Sequence, residues 1–361
     1  MEFLGRESAG VVSVACSSAS TTSFATLSSH GALTLWDVRI PRKNYMTLHN
    51  PNRAAAKEAS ELRYLHDRHA AVALCGSTVQ LFDTRKCVSC VSEFTSGKEC
   101  VAFLKDEPPA NSTTTLIADE DGGMFVYDIT DGSRPPYVEA YIFGEEHRSP
   151  LQQGNRFGRL TNYCSGLHCV DLAIGEGSTA TRLLFAVGMD GEGALYSGAD
   201  DTDSARVAFS ISQESPRSGS GQMVNPPLVN CTAICGAQVA VGRADGMYSV
   251  FEVEHSGLSE AMASPGHAIN GLCYVNWVSP AVLLTTSLCG EITGWAVGEY
   301  MAGNSGEEEE EAEGPEVVAA LAHREVPGCQ VATVNCADRL AAMRYIFGDN
   351  LGGVTLAQLD L

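Results

Sequence analysis

The chain has 361 residues, 44% hydrophobic and 7% aromatic, enough to bury a sizeable core, and a prior of about 150 residues per domain suggests two domains. Lys+Arg number 23 against 44 Asp+Glu, a net charge of −21 that excludes a general nucleic-acid binder, because phosphate attraction needs the opposite field. Glycine is abundant at 36 while proline stops at 14, so the chain is turn-rich and neither collagen-like nor proline-rich.

The start, Met1-Glu2-Phe3-Leu4-Gly5-Arg6-Glu7, lacks the basic segment and apolar run of a targeting peptide. No stretch approaches the ~18 apolar residues of a membrane helix; the longest candidate, 282–289, is broken by Thr285, Thr286 and Ser287. A cytosolic or nuclear protein without membrane contact is expected, so the sequons at Asn111 and Asn230 read as chance. The 13 cysteines are odd in number, which in a reducing compartment argues against a disulfide framework. Cys87-x-x-Cys90, Cys164-x4-Cys169 beside His168, and Cys231-x3-Cys235 would diverge or lie too far apart on strands to grip one ion. They read as small buried hydrophobes, and neither metal nor cofactor is expected.

A phrase recurs along the chain: a turn, an apolar strand, then an aromatic residue often followed by Asp. It appears as Gly31-Ala32-Leu33-Thr34-Leu35-Trp36-Asp37, then as Ser77-Thr78-Val79-Gln80-Leu81-Phe82-Asp83. Gly123-Met124-Phe125-Val126-Tyr127-Asp128, Gly193-Ala194-Leu195-Tyr196, Gly246-Met247-Tyr248-Ser249-Val250-Phe251 and Glu291-Ile292-Thr293-Gly294-Trp295 follow. A weaker seventh copy is Gly353-Val354-Thr355-Leu356-Ala357. The aromatic anchors are spaced by 46, 45, 69, 55 and 44 residues. Three of these steps match the ~40–45 residues of a four-stranded blade, and the two long ones match a blade plus an insertion.

Within the fifth unit, short strands are predicted at 232–234, 238–241, 246–253 and 258–262. Asp121-Gly122, Asp190-Gly191, Asp245-Gly246 and Asp349-Asn350 mark hairpins that need positive φ. Runs such as Leu183-Leu184-Phe185-Ala186-Val187 are apolar on both faces, as strands between two packed sheets must be. No long segment shows a helical period.

The chain resembles the WD-repeat β-propellers along essentially its whole length. Trp36-Asp37 is the literal dipeptide, and Gly266-His267 stands 28 residues before Trp295, the family's Gly-His…Trp spacing; the other copies are degenerate. The resemblance implies an all-β, seven-bladed propeller over 1–361, a single domain that overrides the two-domain prior. The seventh unit offers three strands, near 331–335, 342–347 and 354–359. The family's ring closure implies a fourth from the N-terminus, near 2–5, which protects strand edges. In the family, the histidine matching His267 ties the inter-blade loop to a buried network of Ser/Thr, Asp and Trp.

Three insertions interrupt the ring. Those at 144–164 and 212–229 fall between blades and belong on one face. The first carries His147, Arg148, Arg156, Phe157, Arg159 and Tyr163; the second carries Arg217 among prolines. They read either as a partner-binding surface or as solvated loops. The third, 298–316, holds Glu307 to Glu311 on the opposite face, as a capture segment for basic proteins or a solubilising loop. Charge is uneven: residues 1–105 carry +3, while 106–361 carry −24 and no lysine, so association with a complementary partner should be salt-sensitive.

No catalytic constellation stands out. Walker and Gly-x-Ser-x-Gly motifs are absent, and His66-Asp67-Arg68-His69 reads as a polar turn. The expected function is a non-catalytic protein-interaction scaffold within a larger complex. Two alternatives stay open. A few propellers of this family are enzymes, one a methylesterase. Trp36-Asp37-Val38-Arg39 and Phe82-Asp83-Thr84-Arg85 are also similar to the paired motif of substrate receptors in cullin-RING ubiquitin ligases, which makes Arg39 and Arg85 candidate contacts to the ligase's propeller adaptor. An Arg after the Asp can equally bond its own loop.

Overall fold

Alternating apolar runs and Gly/Asp turns fold here into seven antiparallel sheets arranged as a seven-bladed propeller. The computed structural model describes residues 1–40, 44–48, 58–86, 90–104, 114–121, 123–130, 163–172, 181–197, 206–211, 228–264, 271–297, 320–326 and 332–359. Six blades have four strands, and the third has three among the described residues. Strand order follows chain order in every blade but the seventh. There the N-terminal strand Glu2–Arg6 pairs outside the last strand, Gly353–Gln358, and closes the ring.

The repeat is exact in its backbone bonding. The first residue of the turn between second and third strands donates its N–H to the carbonyl just before the innermost strand. The seven pairs are Ser29 to Gly10, Gly76 to Glu58, Glu120 to Glu99, Met189 to Tyr163, Ala244 to Leu228, Leu288 to Gly271 and Asn350 to Thr333, all at 2.7–2.9 Å. Each innermost strand also shifts register directly after its first residue, between Val11 and Ser13, Ala59 and Glu61, Cys100 and Ala102, Cys164 and Gly166, Val229 and Cys231, Leu272 and Tyr274, and Val334 and Cys336. A bulge of this kind leaves one residue unpaired and re-aims its side chain.

The aromatic anchors Trp36, Phe82, Tyr127, Tyr196, Phe251 and Trp295 are all buried, and Ala357 fills the seventh position. Trp36 packs with Phe24 and Val14 of its own blade and with Leu340, Ile346 and Leu356 of the seventh. Its indole N–H donates to Thr26 Oγ1 at 2.7 Å; Trp295 donates to Thr285 Oγ1 at 2.8 Å. Strands such as Ala70–Cys75 are buried at every residue, because both faces lie against neighbouring blades.

Several predicted boundaries move. The strands of the seventh blade are Val334–Ala341, Arg344–Asp349 and Gly353–Gln358. The first starts late because Thr333 is held in the turn bond to Asn350. In the fifth blade, the innermost strand extends to Val229–Cys235. Positive φ falls on Gly191 and Gly246 as expected, but at the last hairpin it falls on Gly352 (φ 87°) rather than Asn350. Asp349 Oδ1 caps the N–H groups of Leu351 and Gly353, and a Cβ at Gly352 would meet Glu7 O at 2.6 Å. His66–Arg68 is a short 3-10 turn between two strands of the second blade, as read. Gly266 and His267 lie outside the described residues.

Ring closure rests on Glu7. Its N–H donates to Gly352 O at 2.8 Å, and its carboxylate accepts the Thr26 hydroxyl that receives the Trp36 indole. Glu7 stands 29 residues before Trp36, and its carboxyl reaches the anchor's indole through the Thr26 hydroxyl. Burial pushes the Glu7 carboxyl above its ordinary value, against the hydrogen bonds from Thr26 and Thr34 that lower it. The folded state thus holds this proton more tightly than the unfolded chain, and the group's contribution to stability, present at low pH, is lost as pH rises through its folded value.

Two outcomes follow for thermal melting. Trp36→Ala should cost on the order of 3–5 kcal/mol through lost burial and a cavity; an unchanged melting temperature would contradict the anchor role. Glu7→Gln should gain stability relative to wild type as pH rises from about 4.5 to 7, whereas Glu7→Ala, which leaves Thr26 without its acceptor, should lose about 1–3 kcal/mol. A Glu7→Gln deficit that grows towards neutral pH would show that the carboxylate itself is favoured.

Candidate functional site

The seven innermost strands surround a central channel enclosing about 520 Å³. Each strand is paired on one side only, so the backbone groups on its axial side have no ladder partner. Side chains of the preceding blade supply partners, in a repeating register. The bulge residues Ser60, Asn230 and Asn335 donate to the carbonyls of Cys100, Leu272 and Val11, at 2.9, 3.1 and 3.0 Å. Each acceptor is the residue just before the next blade's bulge. One level deeper, Leu62 N–H donates to Ser13 Oγ at 3.1 Å and Phe103 N–H to Glu61 Oε2 at 2.6 Å. Deeper still, Cys16 N–H reaches Asp338 Oδ2 at 2.7 Å. At that depth Arg63 Nη1 donates to Leu104 O at 2.6 Å and Thr115 Oγ1 at 3.1 Å, and His168 Nε2 shares a hydrogen bond with Thr232 Oγ1 at 2.9 Å.

These polar side chains are therefore engaged in holding blade to blade, while the Asn276 amide donates to Tyr274 Oη on its own strand. Two of the channel's thiols are poor nucleophiles: burial raises Cys16 and Cys336, and nearby Asp338 adds to both shifts, which keeps them protonated at neutral pH. Tyr163, at the mouth, is pushed up to about 12 by burial and by Glu99, Glu61 and Glu58. Among the described residues, no three His, Cys, Asp or Glu side chains are grouped to hold a metal ion.

The outer face opposite this mouth carries the predicted arginines. Arg39 follows the third strand of the first blade and clasps Asp37, with Nε to Oδ1 at 3.0 Å, Nη2 to Oδ2 at 2.6 Å and its own N–H to Oδ1 at 2.9 Å. Arg85 repeats the clasp on Asp83 at 2.9, 2.8 and 3.0 Å in the second blade. The guanidinium hydrogen bonds hold both carboxyls below their ordinary values. The arginine side chains remain 67% and 64% exposed. In the third blade, Asp128 makes the same cap with the N–H and hydroxyl of Thr130.

Arg68, Lys86 and Arg182 belong to the same face, whereas Glu58, Glu99, Glu120, Asp121 and Asp190 belong to turns on the mouth side. Arg148, Arg156, Phe157, Arg159 and Arg217 lie outside the described residues, as do most of both inter-blade insertions and the acidic segment 298–316. The structure brings Arg39 and Arg85 to equivalent places on adjacent blades.

The cross-blade side chains went unread in the sequence, although a signal was present. Val229-Asn230-Cys231 and Val334-Asn335-Cys336 repeat the same tripeptide at the same blade position. Asn230, weighed only as part of a sequon, spends its amide on the sixth blade.

No family profile matches the chain, and no curated protein matches it in sequence. Among solved structures, the β-propeller domain of Cps50 (Swd1) from Myceliophteria thermophila matches at 12% identity with a TM-score of 0.62, covering 99% of each chain. At that identity the likeness speaks to fold, and together with seven equivalent blades and closure by Glu2–Arg6 it establishes the chain as a seven-bladed β-propeller.

Proposed function

We propose that this propeller is a non-catalytic interaction scaffold, one subunit of a larger protein complex in the cytosol or nucleus. The observation that carries the reading is the pair of braced arginines. Each guanidinium is fixed by two side-chain bonds to its own Asp, so little rotamer entropy remains to be lost on docking. The two stand at equivalent positions of adjacent blades. That geometry suits a partner presenting carboxylates or backbone carbonyls in a rigid groove. The propeller of Swd1 offers a fold-level analogy only.

The same observation favours one finer role, that of a substrate receptor docking on the propeller adaptor of a cullin-RING ubiquitin ligase. The inter-blade insertions with Arg148, Arg156, Phe157, Arg159 and Arg217 would then face the substrate from the other side of the disc. The 298–316 segment would attract basic proteins.

Affinity capture of the full chain from its native cells, at low and high salt, tests both levels. Capture of a defined protein set by wild type, with loss of at least part of it in Arg39→Ala/Arg85→Ala, supports the scaffold. Recovery of the ligase adaptor within that lost part supports the finer role. Turnover of methyl-ester substrates by a protein that captures nothing would overturn the scaffold reading.

A further inference from the structure

We propose that the mouth of the channel docks a protein segment with a basic end and an apolar end, laid across the ring from the second and third blades towards the fifth, sixth and seventh. The turn bonds that each blade makes at the mouth mark equivalent positions, so the blades can be compared place by place. On the second and third blades these places hold Glu58, Glu99 and Glu120. On the fifth, sixth and seventh they hold uncharged pairs: Ala244 with Leu228, Leu288 with Gly271, and Asn350 with Thr333.

The acidic arc converges and has carboxylates to spare. Tyr163, at the matching place on the fourth blade, is pushed up to about 12 by burial and then by Glu99, Glu61 and Glu58 together. Glu61 spends Oε2 on the Phe103 N–H, and Glu120 Oε1 accepts the Glu99 N–H at 3.3 Å. The carboxylates of Glu58 and Glu99 have no partner among the described residues, and Lys98 beside them is committed to Asp121. Negative potential left open at the rim of a cavity draws in cationic side chains.

The opposite arc is apolar. Leu351, directly after Asn350, is 45% exposed, and Leu228 and Leu288 are half-buried. The carboxylates of these turns are already spent. Arg243 clasps Asp245 with both side chains buried, and Asp349 Oδ1 caps its own hairpin. Between the arcs opens the channel of about 520 Å³, and an apolar arc beside a cavity is a docking feature. A wholly basic segment would leave the leucines uncovered, and a wholly apolar one would desolvate Glu58 and Glu99 unpaired. The fitting occupant carries both characters. This surface lies on the face opposite Arg39 and Arg85 and is separate from theirs.

Fluorescence anisotropy of the full chain with labelled peptides tests this. The peptides carry paired leucines at one end, paired lysines at the other, and glycine spacers of up to about six residues, in both sequence directions. At about 50 mM salt the best of them should bind, and exchanging either its leucines or its lysines for serine should weaken it about fivefold or more. Glu58→Lys/Glu99→Lys should weaken it about tenfold and Leu351→Ser about threefold, both melting like wild type. Should the double reversal fail to fold, Glu58→Gln/Glu99→Gln should still weaken it about threefold. Glu252→Lys/Glu254→Lys makes the same change of net charge on the strand Tyr248–Glu254, away from the mouth, and should stay within about twofold of wild type. No binding with any spacer overturns the proposal, as does binding that ignores the leucines. An equal loss in the Glu252 and Glu254 variant also overturns it, since that marks general attraction to a chain of net charge −21. Arg39→Ala/Arg85→Ala should bind the peptide as wild type does, so failure here leaves the scaffold reading untouched.

Discussion

The innermost strand of each blade has a sheet on one side and the axis on the other. Its axial N–H and C=O groups have no ladder to join, and leaving them unmatched would cost about 1–3 kcal/mol apiece where water is excluded. The chain meets this constraint with side chains from the blade before, at fixed offsets from a bulge found in all seven innermost strands. Ser60, Asn230 and Asn335 satisfy carbonyls, while Ser13, Glu61 and Asp338 satisfy amides. Among the described residues such bonds join the first blade to the second, the second to the third, the fifth to the sixth and the seventh to the first. Closure follows from the same logic: the seventh blade completes the first through Asn335 and Asp338 on the inside. The N-terminal strand completes the seventh on the outside.

This arrangement leaves the channel with little chemistry of its own. Ser13, Ser60, Glu61, Asn230, Asn335 and Asp338 are occupied in cross-blade bonds, and the Cys16 and Cys336 thiols are held protonated. Interaction is left to the outer faces and the rim. One face pairs Arg39, Arg68, Arg85, Lys86 and Arg182 with Asp37, Asp67, Asp83 and Asp171; the turns around the channel mouth carry Glu58, Glu99, Glu120, Asp121 and Asp190. The sequence showed an imbalance along the chain, with the first 105 residues near neutral and the remainder strongly acidic. Folding sets acidic turns around the channel mouth, while the cations of the opposite face stand beside their own carboxylates, which a linear count cannot reveal.

The blades were legible because the repeated phrase couples a turn to a buried aromatic strand, and Trp36 to Trp295 all occupy that one position. The closing strand was legible because the seventh unit was one strand short. Strand starts were not, since the bulge and the turn bond at residues such as Thr333 involve backbone geometry that apolar patterning does not encode. Glu7 was not legible because its link to Trp36 runs through the Thr26 hydroxyl, a contact that neither charge nor apolar patterning encodes. The cross-blade residues were missed because their partners are backbone atoms some 40 residues away or, for Asn335 and Val11, at the other end of the chain. Arg39 and Arg85 were visible by motif, but whether they reach outward or brace their own loops depends on Asp37 and Asp83, and the structure has them braced.

Amide hydrogen exchange at the axis tests the cross-blade account most directly. The N–H groups of Cys16, Leu62 and Phe103 point away from their own sheets and are protected here only by Asp338, Ser13 and Glu61. If these bonds hold the ring, the three amides should exchange as slowly as those of the fully buried second strands, opening only with global unfolding. Exchange at the rate of water-exposed amides, with the neighbouring strands still protected, would show that the blades are held by apolar packing alone and that the axial bonds do not close the ring.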